Sequence, residues 1–367
     1  MVRAIPGHGA DMTPWVRPAA VEAPRHRVEA SPARHQPPED RAAGAGARLQ
    51  RRLPKGTTTV AIDIWIPADT APEHRAVLPA EAALHDLPME GPLPDRLGHA
   101  DLLVADFRWR RAVDAIPRLE GLRAVQTFSA GVDAIQGRIP DGVTLCDAAG
   151  VHDIPVAEWV VAAVLAARHR LPEHVLAQAG ARWPAPDPGR GGDDLEGATV
   201  LVLGYGSIGR AVHARLRPFG CEVIGVARRA RPGIATLPDV PALLPRADVV
   251  IVLLPLTRET RGLVDAGFLG AMRPGALLVN AARGAIVDTD ALLGALRARR
   301  VTAALDVTDP EPLPEGHPLW TAPGVLITPH IAGVVPKVPG RVWRLVADQV
   351  GRLARGEPLR NVVSDGY

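Results

Sequence analysis

Cysteine is scarce in this chain, which has only Cys146 and Cys221 among its 367 residues. Both lie in apolar surroundings typical of strands, and two cysteines are too few for a disulfide framework. We therefore expect buried, reduced thiols and a cytoplasmic protein.

Long apolar runs and a basic globular surface are missing as well. No window of about 18 uninterrupted apolar residues occurs, so no transmembrane helix is expected. Residues 1–56 carry ten Lys and Arg against five Asp and Glu, whereas the remaining residues carry 32 basic and 35 acidic side chains. No basic recognition motif is found outside that first segment, so neither a membrane nor a nucleic acid is an expected partner.

The apolar content is high, at 47% of 367 residues, which is enough for two or more buried cores. Residues 1–56 contain eight prolines, one aromatic residue and no sustained apolar period, which predicts a disordered N-terminal extension. After it, a small α/β domain is predicted, with a helix at 111–119 and strands at 58–66, 101–105, 123–128 and 143–147.

A long helix is predicted from Pro155 to about Arg170, followed by a loop at 181–197. Regular alternation of helices and strands then predicts a doubly wound parallel sheet of six strands, at 199–203, 222–226, 248–254, 276–280, 302–307 and 325–328. A last helix at 341–354 has no strand of its own to cover, so we infer that it packs on the first domain.

The predicted fold class is therefore α/β, with a Rossmann-type doubly wound sheet and a smaller flavodoxin-like domain that is discontinuous in sequence. Residues 57–153 and 334–367 form the predicted substrate domain. Residues 154–333 form the predicted dinucleotide-binding domain.

A glycine-rich turn, Gly-Tyr-Gly-Ser-Ile-Gly at 204–209, directly follows the predicted strand at 199–203 and opens a predicted helix. Glycines at these spacings allow a tight turn, close approach of a pyrophosphate and close packing of helix on strand. The free amides of the helix N-terminus favour phosphate. The motif alone is weakly specific.

Charged side chains follow three later strands of the same predicted sheet. Arg283 follows the strand at 276–280, Glu311 follows the strand at 302–307, and His330 follows the strand at 325–328. Because ligands bind at the carboxyl ends of parallel strands, these side chains should meet at the edge that carries the glycine turn.

The stretch 197–333 resembles the NAD(P)-dependent D-isomer-specific 2-hydroxyacid dehydrogenases, which include glyoxylate/hydroxypyruvate reductases and phosphoglycerate dehydrogenases. Besides the glycine turn, the matching motifs are Leu-Pro-Leu-Thr at 254–257, Met-Arg-Pro-Gly at 272–275, Asn-Ala-Ala-Arg-Gly at 280–284, Asp-Val at 306–307 and Thr-Pro-His-Ile-Ala-Gly at 328–333. In the first domain, Ser-Ala-Gly-Val-Asp at 129–133 resembles the family's substrate loop.

The resemblance implies hydride transfer between a nicotinamide cofactor and a small 2-keto or 2-hydroxy acid, with three catalytic residues. Arg283 would bind the substrate carboxylate and the adjacent carbonyl oxygen. His330 would be the general acid of the reduction and the base of the reverse reaction, and Glu311 would favour its protonated form. The amides of Ala130 and Gly131 would hold the other end of the carboxylate.

The cofactor is expected to be NADP(H) in preference to NAD(H). The position after the second Rossmann strand, where NAD-preferring members have an acidic residue, holds Ala227, and arginines follow it. Guanidinium groups there would accept a 2′-phosphate, although a solvated basic loop is the alternative. The expected cofactor-binding residues are Gly204, Tyr205, Gly206, Ser207, Ile208, Gly209, Arg228, Arg229, Leu254, Pro255, Thr260, Ala281 and Asp306; no metal is expected.

Further positions need separate interpretation, and some of them leave alternatives open. Asp306 either orients the site or has a structural role. Thr308 stands where the family often has an aromatic residue, a departure that would change packing around the acid-base pair. Phe107, Arg108 and Trp109 would line the substrate side of the cleft or lie in an ordinary surface loop.

Two other functions remain open at this point. The first is an NAD(P)H-sensing, corepressor-like binding protein, because such proteins share the fold and keep similar site residues. The second is a dehydrogenase acting on formate or phosphite. The resemblance also favours a homodimer, for which the apolar faces of the helix at 155–170 provide either the interface or the core.

Overall fold

The computed structural model describes residues 61–185 and 191–363, all within one compact unit, Thr57–Tyr367. The predictions made for residues 1–56 therefore lie outside the described residues. Within the described ranges, no helix has both the length and the apolarity needed to cross a membrane.

The first part of the chain forms a five-stranded parallel sheet. Its strands are β1 Ile62–Pro67, β2 Ala82–Leu87, β4 Leu102–Ala105, β6 Ala124–Thr127 and β7 Thr144–Cys146, and a separate short pair is formed by β3 Gly98–His99 and β5 Leu119–Glu120. The order in space is β2-β1-β4-β6-β7. Counted within the sheet this is the order 2-1-3-4-5, the flavodoxin arrangement.

Helices cover both faces of this first sheet. One face packs against α2 (Trp109–Ala115), and the short α1 (Pro72–Arg75) follows β1. The other face packs against the last helix, α9 (Val338–Arg355), through buried Val342, Trp343 and Val346. The last helix therefore returns to the first sheet, as inferred, and it ends at Gly356, which has φ 64°.

The second sheet has seven parallel strands in the order β10-β9-β8-β11-β12-β13-β14. Their bounds are β8 Thr199–Leu203, β9 Glu222–Val226, β10 Ile234–Ala235, β11 Val249–Val252, β12 Leu277–Asn280, β13 Thr302–Leu305 and β14 Val325–Ile327. The central β11, Val-Val-Ile-Val, is buried along its whole length. Such continuous apolar strands are typical of parallel sheets covered on both faces.

Two helix layers enclose the second sheet. One face is covered by α3 (Asp153–Arg168) and α5 (Ser207–Leu216), and the other by α6 (Val240–Leu243), α7 (Ala266–Ala271) and α8 (Thr289–Arg297). One face of α3 is buried in this core and therefore belongs to it; its residues there are Val156, Ala157, Val160, Ala163 and Val164.

Several predicted element boundaries were wrong. The second sheet has seven strands because β10, only two residues long, pairs with β9. The edge strand β2 and the helix α4 (Leu171–Ala179) were not predicted. The helix predicted at 111–119 ends at Ala115, and Cys221 is half-buried where full burial was expected, although both cysteines are free.

Candidate active site

The carboxyl edge of the second sheet collects the residues that the sequence singled out. β8 lies between β9 on one side and β11 on the other. From β8 the strand order runs outwards in opposite directions, so the turn after β8 lies at the point where the order reverses. Ligands of doubly wound sheets bind at this crevice. On the same edge, β12, β13 and β14 are neighbours, and they lead to Arg283, Glu311 and His330 respectively.

The three glycines of the turn have different surroundings. A Cβ on Gly204, which has φ 102°, would lie 2.4 Å from the carbonyl oxygen of Leu253, and a Cβ on Gly209 would lie 2.4 Å from the carbonyl oxygen of Gly204. A Cβ on Gly206 would meet no atom within 4 Å. Gly204 and Gly209 are therefore required by packing, whereas Gly206 faces open space just before Ser207 and Ile208 begin α5.

Tyr205 is held by groups on two sides. A Cβ on Gly225 would lie 2.4 Å from Cδ2 of Tyr205, so the ring lies directly on β9. The Tyr205 hydroxyl is hydrogen-bonded to Nδ1 of His213 on α5. Burial, with Arg217 nearby, lowers the pKa of His213, which favours the neutral ring, whose Nδ1 can accept a hydrogen bond from the hydroxyl.

The arginines after β9 extend to the glycine turn. Arg228 and Arg229, the residues proposed for the cofactor from sequence, are exposed in the loop that follows Val226. Arg231 donates a hydrogen bond to the carbonyl oxygen of Tyr205 at 3.4 Å. The structure thus brings a third arginine, Arg231, which was not among the expected cofactor-binding residues, against the turn itself.

His330 and Glu311 form a direct pair, with 2.6 Å between Nδ1 of His330 and Oε1 of Glu311. When Nδ1 donates its proton to this hydrogen bond, the other ring nitrogen, Nε2, faces away from Glu311. Both side chains are partly exposed, at 49% and 39%. His330 has φ 55°, a conformation uncommon for a residue with a side chain, and its amide donates to the carbonyl oxygens of Asp306 and Thr328.

Asp306 stabilises the loop that contains His330 through hydrogen bonds. Its buried carboxylate accepts hydrogen bonds from the Thr328 hydroxyl at 2.6 Å, the Ile331 amide at 2.8 Å and the Ala332 amide at 2.9 Å. Three hydrogen bonds to one carboxylate hold the residues on both sides of His330 in place. This geometry favours the structural alternative for Asp306.

Thr308, the departure from the family pattern, is buried between two loops of the site. Its hydroxyl donates to the carbonyl oxygen of Pro310 at 2.9 Å, just before Glu311. A Cβ on Gly284, next to Arg283, would lie 1.9 Å from the carbonyl oxygen of Thr308. The loops that carry Arg283 and Glu311 are therefore in direct contact through a glycine.

Arg283 reaches the first sheet. Its Nε donates to Oδ1 of Asp133 at 3.0 Å, and its terminal NH1 donates to the carbonyl oxygen of Ala282 at 2.8 Å. The proposed substrate loop is thus placed next to Arg283, with Ala130 and Gly131 following β6. The Gly131 amide donates to the Ser129 hydroxyl at 3.1 Å.

The remaining cofactor positions lie in loops after β11 and β12. Leu254 is buried, and the Thr260 hydroxyl donates to the carbonyl oxygen of Pro255 at 2.6 Å, which closes that loop on itself. Ala281 follows Asn280 at the end of β12. All of these positions lie on the edge that carries the glycine turn.

The comparisons with known proteins agree with this architecture. Residues 161–332 match the model of the D-isomer specific 2-hydroxyacid dehydrogenase NAD-binding domain. A glyoxylate reductase from Thermofilum pendens is 34% identical over 268 residues, which are 70% of this chain and 78% of the relative. The chain belongs to the D-isomer specific 2-hydroxyacid dehydrogenase family. The predicted family and α/β fold class are confirmed, and the family supports NAD(P)-dependent 2-hydroxyacid dehydrogenase activity.

Solved structures of this dehydrogenase family show the same fold. A member from Xanthobacter autotrophicus Py2, in complex with NADPH and MES, is 30% identical with a TM-score of 0.69, over 83% of this chain and 98% of that one. The NADPH-dependent glyoxylate/hydroxypyruvate reductase from Sinorhizobium meliloti, in complex with NADP and sulfate, is 26% identical with a TM-score of 0.71 and the same coverage.

Other members of the family are longer proteins. A D-3-phosphoglycerate dehydrogenase from Methanocaldococcus jannaschii is 32% identical over 284 residues, which are 74% of this chain and 53% of that protein. The chain therefore spans about half the length of this relative.

The predicted substrate-side lining is only partly supported by geometry. Phe107 is 62% exposed and makes edge-on ring contacts with Phe128, at the end of β6, and with His152. Arg108 is paired with Asp69 and Asp106, and these hydrogen bonds raise the pKa of Arg108 above its usual range. Arg108 therefore stays charged, with its charge already balanced within the loops.

Proposed function

We propose that this dehydrogenase uses NADPH to reduce a small 2-keto acid to the D-2-hydroxy acid. The observation that carries the proposal is the pair formed by His330 and Glu311, with 2.6 Å between Nδ1 and Oε1. His330 follows β14, and Arg283 follows β12, which is separated from β14 only by β13. An acid-base pair, a carboxylate-binding guanidinium and a glycine turn at one sheet edge are the groups that this reaction needs.

The reduction moves one hydride and one proton. The reduced nicotinamide, when bound, supplies the hydride to the carbonyl carbon of the substrate. His330 donates the proton from Nε2 to the carbonyl oxygen, while Glu311, on Nδ1, stabilises the protonated ring before the transfer. Arg283 binds the substrate carboxylate and orients the carbonyl group for attack.

The glycine turn fits the pyrophosphate of the cofactor. Gly206 opens onto free space, and α5 starts at the next residue, so its first amides are available to an anion. The Thr260 loop and Ala281 would form the walls on the nicotinamide side.

The selectivity for NADPH rests on the arginines after β9. Ala227 gives no carboxylate to the ribose hydroxyls, and Arg231, beside the glycine turn, would hold a 2′-phosphate together with Arg228 and Arg229. The two family structures named above were solved with NADPH and with NADP.

The cofactor test compares kcat/KM for NADPH and NADH at one saturating keto acid. We expect NADPH to be favoured at least about tenfold, and Arg231→Ala to remove most of that preference because it deletes a charged partner of the phosphate. Arg246→Ala removes the same charge from an exposed arginine just before β11, and should leave the ratio unchanged. Equal efficiency, or a preference for NADH, would overturn the proposed selectivity.

The activity test follows NADPH oxidation at 340 nm with glyoxylate, hydroxypyruvate and larger 2-keto acids. We expect steady turnover with at least one of them. NADPH binding without turnover across the whole panel would contradict the proposed reaction and favour the sensing function.

We also propose a homodimer, with an interface at α4. Leu171, Val175 and Leu176 on this helix, and Trp183 after it, are exposed, Trp183 at 94%. Clustered exposed apolar side chains mark interaction surfaces in soluble proteins. We therefore propose α4, rather than α3, as the interface. The two free cysteines support the proposed cytoplasmic location.

A further inference from the structure

Arg283 is fixed from two directions by groups that belong to different sheets. Its Nε lies 3.0 Å from Oδ1 of Asp133, which follows β6 of the first sheet, and its NH1 lies 2.8 Å from the carbonyl oxygen of Ala282, which follows β12 of the second. The Arg283 and Asp133 side chains are only 27% and 25% exposed. The ion pair is therefore largely shielded from solvent screening.

Gly131 makes a third close approach. A Cβ placed on Gly131 would lie 1.5 Å from NH2 of Arg283 and 2.5 Å from Cζ. The guanidinium thus lies directly against the main chain of the substrate loop, in space that any side chain at position 131 would fill. The loop binds the guanidinium through Asp133 and makes room for it through Gly131.

The hydrogen-bond inventory of Arg283 shows what these contacts leave for the substrate. A guanidinium has five N–H groups in one plane. Asp133 takes the one on Nε and Ala282 takes one on NH1, so three remain, all on the two terminal nitrogens. A carboxylate binds such a pair of terminal nitrogens with two parallel hydrogen bonds.

We propose that Asp133 is a positioning residue for Arg283, which turns the terminal nitrogens of the guanidinium towards the substrate carboxylate. This inference rests on the proposed function. Asp133 acts through Nε and does not touch the substrate. Because Asp133 and Arg283 belong to different sheets, the carboxylate-binding site is complete only when the two sheets lie at this distance from each other.

The competing role for Asp133 makes the opposite prediction. If its carboxylate merely occupied Arg283 in place of the substrate, removing it would free Nε and tighten substrate binding. If it positions Arg283, removing it allows the side chain to rotate, and substrate binding weakens. The direction of the change in KM therefore separates the two roles.

The experiment uses the full-length enzyme with Asp133→Ala, Asp133→Asn and Asp86→Ala. Asp86, on the edge strand β2, pairs with Arg75 of α1 and is the matched control, a partly exposed Asp–Arg pair that does not touch Arg283. NADPH affinity and thermal unfolding are measured for each variant, which identifies any variant that fails to fold.

For Asp133→Ala we expect KM for the keto acid to rise about tenfold to a hundredfold, with a smaller fall in kcat, because the guanidinium is misplaced rather than removed. Asp133→Asn should recover most of the loss, since its side-chain oxygen can still accept from Nε. Asp86→Ala should behave as the parent. An unchanged or lowered KM for Asp133→Ala overturns the proposal.

A binding measurement keeps this inference separate from the proposed reaction. Oxalate, a carboxylate that cannot be reduced, is titrated into each enzyme in the presence of NADPH. Weaker oxalate binding by Asp133→Ala supports the positioning role even if the parent reduces no keto acid, a result that would contradict only the reaction. Gly131→Ala, which fills the space of the guanidinium, should weaken oxalate binding in the same way. Unchanged oxalate binding by Asp133→Ala overturns the inference.

Discussion

At the scale of single residues, His330, the proposed proton donor, is held in place by several neighbouring groups. Its amide is bonded to two carbonyl oxygens, Asp306 anchors the residues on either side, and Glu311 is bonded to Nδ1. An unusual backbone conformation that is held by several hydrogen bonds is typical of active sites. The ring is therefore preorganised without being buried.

Replacing His330 by alanine should lower kcat about 10²- to 10⁴-fold, because the proposed proton donor of the reduction is lost. NADPH affinity should change less than about twofold, since the ring lies outside the glycine turn. Steady-state kinetics and a fluorescence titration with NADPH check the two parts. His85→Ala, an imidazole paired with Asp63 in the first sheet, is the control. A kcat within about tenfold of the parent would contradict the assignment.

Asp147, outside the active site, should make stability depend on pH. Burial raises the pKa of Asp147 to about 6, although its carboxylate accepts a hydrogen bond from the Ala149 amide. Between about pH 4 and about pH 6, Asp147 therefore keeps its proton in the folded protein, whereas in the unfolded chain Asp147 loses it above the usual pKa of 3.8. The contribution of Asp147 to the free energy of unfolding is fully present at low pH and is lost as the pH rises from about 4 to about 6.

Asp147→Asn keeps the bond to Ala149 and removes the ionisation. It should raise the free energy of unfolding by up to about 3 kcal/mol at pH 7.5 and by about half of that at pH 5. Urea unfolding of the parent and the variant at the two pH values measures the difference. A gain that does not depend on pH would show that the buried charge is not its cause.

Sequence reasoning at this scale found the residues that follow strands and missed those that meet across the molecule. Arg283, Glu311 and His330 each stand just beyond a recognisable apolar strand, so their convergence follows from sheet geometry. The bond between Arg283 and Asp133 joins positions 150 residues apart, and no local pattern marks it. Arg231 follows Arg228 and Arg229 in the sequence, but only the fold shows that it contacts the glycine turn.

At the scale of elements, the glycine turn divides its three glycines between folding and binding. A side chain at Gly204 would clash with Leu253, and a side chain at Gly209 would clash with Gly204. A side chain at Gly206 would meet no atom within 4 Å of its Cβ. The motif thus combines two glycines that packing requires with one, Gly206, that faces open space.

Alanine substitutions at Gly206 and Gly209 should separate these roles. Gly206→Ala should weaken NADPH binding about tenfold or more and change unfolding by less than about 0.5 kcal/mol, because the new methyl group occupies ligand space alone. Gly209→Ala should lower the free energy of unfolding by about 1–3 kcal/mol, because its Cβ meets the carbonyl oxygen of Gly204. Urea unfolding and NADPH titration report both effects. Equal unfolding losses in the two variants would contradict the division.

Element prediction succeeded where strands are apolar and buried, and failed at the sheet edges. The strand β11 is an uninterrupted Val-Val-Ile-Val run, whereas β2 reads Ala-Ala-Leu-His-Asp-Leu and is buried only at its last residue. Without β-branched residues or alternation, such an edge strand has no sequence signature. The break between α3 and α4 depends on Arg170, which has φ 54° before a proline in the first turn.

At the scale of the whole molecule, the exposed apolar residues of α4 predict association. Leu176→Glu, at 70% exposure, should convert a dimer into monomers, because a carboxylate would be desolvated in the interface. Light scattering after size-exclusion chromatography measures the mass. Val77→Glu, an exposed apolar position before β2, should leave the mass unchanged. A monomeric parent protein would contradict the proposed dimer.

The helix α9 imposes an order on biosynthesis. All strands of the first sheet are synthesised by residue 146, but the helix that covers one of their faces spans Val338–Arg355 and is synthesised after the whole second sheet. The second sheet and its helices form one continuous stretch between them, so they can fold while that face is still bare. When α9 packs on the first sheet, Gln349 donates a hydrogen bond to the side-chain oxygen of the buried Gln126 at 2.8 Å. A nascent chain halted before Val338 would therefore carry a finished nucleotide-binding half and an open, aggregation-prone first sheet.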